Sequence, residues 1–208
     1  HPEFYITHEL DWLHVLNCVN GAIYHPRHTS RRVLQFNGDY ISLIEILYKR
    51  STTKEISVIG DKLPNYVYSF DVLHKFFPGA KHLFCLRNPL DVVNSMISRD
   101  YDRKIGLDRG WDVDLDLETM CSKVNDAYEN FLKFRDAHPD EIYVIKYEKI
   151  TQNPIPEMDL LSKFIECSNN FDVRSIKPGK KSREYLTDKM AKFIKSKIHE
   201  ELREYENE

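Results

Sequence analysis

The chain has 208 residues, 41% of them hydrophobic and 30% charged, with 30 basic and 33 acidic side chains. That length suits one domain with its own core, and a mean hydropathy of −0.53 without any apolar run of about 18 residues excludes a transmembrane helix in the sequence. A net charge of −3 excludes a globally basic nucleic-acid coat and leaves room for a local anion site.

Residues 39–50 carry apolar positions at helical spacing, with Asn37 or Asp39 as cap. Ile56-Ser57-Val58-Ile59 is a β-branched run that Gly60 is expected to stop. Residues 68–77 read as a helix ended by Pro78-Gly79. His82 to Leu86 is a continuous apolar run, the pattern of a parallel strand buried on both faces, and Cys85 within it packs as a small hydrophobe. Asn88 caps the next helix and Pro89 takes its first position, with the helix running from Leu90 to Arg99. Residues 100–114 read as a loop. Residues 116–136 form a long amphipathic helix with Met120, Val124, Ala127, Phe131 and Phe134 on one side.

Ile142 to Ile145 is a second buried strand. Pro154 and Pro156 mark a turn, residues 157–166 a helix, 168–184 a polar stretch, and 185–205 a last helix. The alternation of strand and helix predicts one α/β domain with a mostly parallel sheet. The four cysteines (18, 85, 121 and 167) have wide, irregular spacing, which points to free thiols in a reducing compartment.

One strand–turn–helix unit carries chemistry. Arg87 lies at the carboxyl end of a strand, where open α/β sheets bind ligands. The helix that follows is expected to present exposed N–H groups to an anion. A guanidinium fork suits phosphate. Ser95 lies two turns into the same helix, and Arg99 follows it at i+4. Read from spacing alone, a solvated Arg and a self-bonded helix Ser remain the competing account.

The segment Phe77-Pro78-Gly79-Ala80-Lys81, the strand, Arg87-Asn88-Pro89-Leu90-Asp91-Val92 and Ser95 resembles the 3′-phosphate-binding motif of the sulfotransferases. The resemblance implies a P-loop-like three-layer fold with a mostly parallel central sheet flanked by helices. It implies the sulfuryl donor 3′-phosphoadenosine 5′-phosphosulfate (PAPS), with adenosine 3′,5′-bisphosphate (PAP) as product. It assigns the 3′-phosphate to Arg87 and Ser95. Asp61-Lys62-Leu63-Pro64-Asn65-Tyr66 resembles the [DE]-K-x-P-x-Y segment of Golgi-type and bacterial members, where the Lys meets the sulfuryl group or the donor's 5′ side; Lys62 inherits that place. Tyr147-Glu148 with Pro154 resembles the family's Y-E segment, so that Tyr147 either holds the nucleotide or packs. Ser95-Met96-Ile97-Ser98-Arg99 resembles the tyrosylprotein branch and puts Arg99 near the nucleotide.

The opening His1-Pro2-Glu3-Phe4, then His8-Glu9, resembles the H-P-[DE]-V stretch just after the family's first helix; the cytosolic branch implies His8 as a rival base, and the tyrosylprotein branch makes Glu9 the implied general base. Asp11 stands where that branch has a substrate-contacting Arg. The family's Gly-Thr/Ser-rich loop belongs about one helix ahead of H-P, and none of the seven glycines forms such a cluster. The expectation is a single sulfotransferase-like domain over 1–208 that lacks this loop, either because the natural N-terminus is missing or because donor binding is altered. Lys177-Pro178-Gly179-Lys180-Lys181-Ser182 is either a lid over the nucleotide or a solvated loop.

No metal site is expected, because the nine histidines are scattered. No nucleic-acid partner is expected either; the basic patch from His25 to Arg32 meets an anionic substrate or nothing. The implied reaction is in-line sulfuryl transfer to a hydroxyl-bearing acceptor: carbohydrate, lipid, small molecule or peptide Tyr. A bacterial-type cytoplasmic enzyme is favoured over a Golgi one. A non-catalytic nucleotide- or glycan-binding module and a P-loop-type kinase stay open.

Overall fold

The structure is a computed structural model that describes residues 4–8, 58–107, 115–176 and 184–203. The expected helix at 39–50, the patch from His25 to Arg32, and the candidate lid at 177–182 lie outside the described residues. The chain divides into two compact units, His1–Pro78 with Ser162–Asp172 and Gly79–Leu161 with Val173–Glu208.

The first unit holds strands β1 (Phe4–His8) and β2 (Val58–Lys62). They pair in parallel from Phe4↔Val58 to His8↔Lys62. Gly60 sits inside β2 instead of stopping it; paired to Ile6, it is held by the ladder against its own conformational freedom. Pro64 then opens a short 3-10 turn (Pro64–Tyr68), followed by helix α1 (Phe70–Phe76). The helix expected over 68–77 is therefore α1, two residues shorter at its start and one at its end, with the 3-10 turn leading into it. The join is Ser69, whose N–H donates to the Tyr66 carbonyl at 2.9 Å. Val67, Phe70 and Leu73 are the buried residues of this stretch.

The second unit holds strands β3 (His82–Leu86) and β4 (Ile142–Lys146), parallel from His82↔Ile142 to Leu86↔Lys146. Between them run helices α2 (Pro89–Lys104) and α3 (Leu117–Ala137). After β4 come α4 (Tyr147–Gln152), α5 (Pro154–Phe164), a 3-10 turn at Val173–Ser175, α6 (Asp188–Lys197) and α7 (Glu200–Arg203). This is an α/β arrangement with parallel pairing throughout the described strands.

The core of the second unit gathers around α3, with Val93 of α2, Ile194 of α6 and Leu202 of α7 fully buried, and α3 packs on β3. Phe84 stacks on Phe131, with ring centroids 4.3 Å apart and planes 9° from parallel. His82 meets Phe134 edge-on at 4.8 Å. The opposite side of β3 differs from the sequence expectation. Leu83 is 45% exposed and Cys85 is exposed as well. Successive side chains point to opposite faces, and α3 covers only the face of residues 82, 84 and 86. β4 is likewise less buried than expected, with only Ile142 fully so.

Helix α2 runs five residues past its expected end, to Lys104. The polar composition that suggested a loop is the means of extension. Asp100 is 7% exposed and pairs with Arg103 at 3.2 Å and Lys104 at 2.7 Å, one turn ahead. The Lys104 hydrogen bond, followed by Arg103, holds the Asp100 carboxyl below the usual carboxylate range. Helix α3 is capped by Asp116, whose side chain accepts from the Thr119 N–H at 2.7 Å.

The expected last helix is two. Thr187 caps α6, and Ile198, extended and 2% exposed, breaks it. Asn125 of α3 bridges the break: its side-chain amide donates to the Lys197 carbonyl at 2.9 Å and its oxygen accepts from the His199 N–H at 3.1 Å. Lys197–Glu118 at 2.8 Å and His199–Glu129 at 3.0 Å flank this bridge. Among the described residues, no helix is long and apolar enough to cross a membrane.

Candidate functional site

The turn from β3 into α2 is Arg87-Asn88-Pro89. Asn88 is the N-cap that its sequence position predicts: its Oδ1 accepts from the Leu90 N–H at 3.0 Å. Its carbonyl accepts from the N–H groups of Asp91 and Val92 at 3.0 and 3.1 Å. Its own N–H donates to Glu148 Oε1 at 2.9 Å, and Pro89 has no N–H to offer. Every donor of the first turn is thus engaged within the chain, and Asn88, Pro89 and Leu90 are all buried. The expectation of exposed helix-start N–H groups waiting for an anion is therefore corrected; Glu148 and Asn88 already satisfy them.

Arg87 is different. Its guanidinium lies over the Tyr147 ring, 4.5 Å from the centroid, a distance suited to a cation–π contact. Its Nε is buried and has no hydrogen-bond partner among the described residues. A buried N–H of a permanent cation without an acceptor costs about 1–3 kcal/mol or more, so the arrangement favours an anionic acceptor. Tyr147 and Glu148 open α4 directly after β4. The pairing Leu86↔Lys146 brings that start beside the β3 turn. Cys85 shares this neighbourhood. It has surface in contact with solvent, yet the protein packed around its thiol, and then Glu148, push its pKa up against the opposing pull of Arg87. It is a thiol at neutral pH, not a thiolate.

Ser95 and Arg99 are both exposed, one turn apart on α2. Beside them, Asn94 Oδ1 accepts from the Tyr185 N–H at 3.3 Å. The Tyr101 and Tyr185 rings lie 5.8 Å apart. The segment leading into α6 is thereby held against the helix that carries Ser95.

The first unit presents its own strand ends. Lys62, exposed, is the last residue of β2 and is in register with His8, the last of β1. Asp61 accepts a short hydrogen bond from the Tyr66 hydroxyl, which closes the turn that follows. Glu9 follows His8 and lies outside the described residues.

The family model described as "Sulfotransferase family" matches residues 12–171. The chain belongs to the sulfotransferase family. Among solved structures, this sulfotransferase-family chain is similar to a sulfotransferase from Alicyclobacillus acidocaldarius, at 17% identity and TM-score 0.51, over 98% of this chain and 87% of that one. It is also similar to a sulfotransferase domain from the curacin biosynthetic pathway, at 15% identity and TM-score 0.48, over 78% of this chain. The chain spans 59% of the length of that domain. The first likeness gives the fold. No curated protein matches.

The tasks of two residues of the sulfotransferase-family chain are not visible in the sequence. Glu148 acts on a backbone group 60 positions away, which no local pattern displays. Its only signal was its place next to Tyr147. Asn94 stood one residue before the quoted Ser95 and reads as an ordinary helix-surface amide.

Proposed function

We propose that this chain takes part in sulfuryl transfer from PAPS to a hydroxyl-bearing acceptor, with carbohydrate among the candidate acceptors. The observation that carries the reading is Arg87: a cation at the carboxyl end of β3, stacked on Tyr147, with a buried Nε that lacks an acceptor among the described residues. An anionic phosphate would supply that acceptor, so these residues fit the donor's 3′-phosphate. Arg87, Ser95 and Arg99 bind it, and Tyr147 orients Arg87 and the nucleotide. When bound, the donor supplies an activated sulfuryl group on a phosphate oxygen. The acceptor hydroxyl forms the new O–S bond as the S–O bond to that phosphate breaks. Glu9 takes the hydroxyl proton, and Lys62 neutralises charge on the departing phosphate oxygen. The residues contribute chiefly position and charge, as in phosphoryl transfer. The single-domain organisation over 1–208 belongs to the same proposal.

Calorimetric titration with PAP against 5′-AMP tests the reading. The expected result is a preference of at least tenfold for PAP that Arg87→Ala abolishes. Equal binding of the two nucleotides by the wild type overturns the 3′-phosphate assignment.

A further inference from the structure

The turn after β3 carries two opposite charges with different tasks. Arg87 has a buried donor without an acceptor among the described residues, while Glu148 has its carboxylate on the neighbouring backbone N–H of Asn88. Tyr147, adjacent in sequence to Glu148, supports the guanidinium from below. The start of α4 therefore grips the turn at two points, one on the Arg87 side chain and one on the backbone immediately after it.

This grip has a chemical consequence. A helix start normally offers free N–H groups to an anion. Here Glu148 occupies the N–H of Asn88, Asn88 occupies that of Leu90, and Pro89 has none. An anion at this turn finds side-chain donors alone. It also meets a carboxylate that disfavours any approach to the backbone. Binding by a planar, directional fork selects for a phosphate placed on the Arg87 side, whereas a row of backbone N–H groups would accept any small anion.

We propose that Glu148 is a positioning residue: by holding the Asn88 N–H it fixes the main chain beneath Arg87 and makes the turn a side-chain-only anion site, so that selectivity for the 3′-phosphate rests on Arg87. The inference rests on the nucleotide reading above and adds the residue that enforces it. Glu148→Gln keeps an oxygen that accepts from Asn88 and removes the charge. Glu148→Ala removes both, exposing a backbone donor.

The test is titration of the wild type, Glu148→Gln and Glu148→Ala with PAP, 5′-AMP and inorganic phosphate, with amide hydrogen exchange at Asn88 followed in the same proteins. Glu148→Ala is expected to lose about tenfold or more in preference for PAP over 5′-AMP, to gain affinity for inorganic phosphate, and to lose exchange protection at Asn88. Glu148→Gln is expected to restore both the protection and most of the preference, a rescue that also serves if the Ala variant fails to fold. A wild-type preference for PAP that survives unchanged in Glu148→Ala overturns this proposal and leaves the nucleotide reading standing. So does a Gln variant that restores folding but not the preference. A wild type without preference for PAP overturns the nucleotide reading, and this inference falls with it.

Discussion

The two parallel strand pairs have five residues per strand, yet their carboxyl ends are finished differently. Beyond β2, closure is local: Tyr66 reaches back five residues to Asp61 and leaves Lys62 exposed at the strand end. Beyond β3, closure is long-range: Asn88 is held by Glu148 and Arg87 by Tyr147, both 60 positions away in the chain. A locally closed end leaves its charged side chain exposed to solvent. A long-range closure fixes its cation before any ligand arrives, so the ordering cost of binding is reduced in advance. The difference matches the two tasks proposed for the ends: Lys62 meets charge that develops during transfer, and Arg87 recognises a phosphate that does not change.

The two strand ends can be perturbed separately. The largest effect is expected at the support of the preorganised end. Phe131, 2% exposed and stacked under Phe84, should cost about 3–5 kcal/mol of folding stability when changed to Ala, read by urea denaturation. The locally closed end should behave the other way. Lys62→Ala should leave the unfolding midpoint and PAP affinity near wild type and lower kcat roughly 100-fold in a sulfuryl-transfer assay; a loss of PAP affinity with unchanged kcat would erase the division of labour. Asn88→Ala should cost about 1 kcal/mol of stability through the lost cap and should weaken PAP binding more than 5′-AMP binding. The smallest effect concerns α2 beyond Arg99. The Asp100 carboxyl is lowered by Lys104 and Arg103, so its contribution is present above the ordinary Asp range and is lost as pH falls through the lowered folded value. Wild-type melting temperature should therefore drop more steeply on acidification below about pH 4 than that of Asp100→Asn.

Legibility in the sequence followed the reach of the physics. The Asn88-Pro89 helix start could be read because capping is settled within three residues. Met120, Phe131 and Phe134 could be placed in the core because the 3.6-residue period sorts them onto one face of α3. Strand β3 was found, but its solvent-facing side was not, because a continuous apolar run carries no alternation to reveal that one face stays open. The five added residues of α2 were hidden because Asp100, Arg103 and Lys104 look like loop composition until they pair along a helix. Helix α4 was missed altogether: its six residues begin directly at the strand end with no capping side chain. Of the site, the identities of Arg87, Ser95 and Tyr147 were legible as motif residues. The engagement of the helix-start donors was not, since it depends on a register between β3 and β4 that the sequence does not state.

Asn125 gives the molecule a further property. One side chain supplies both the donor and the acceptor that the chain needs where α6 stops and α7 begins, and it does so from the middle of α3. The C-terminal helices therefore cannot fray residue by residue from the end without also stripping α3 of its partners. They should open as one cooperative unit, with the amides of α6 and the Asn125 side of α3 exchanging at a common rate.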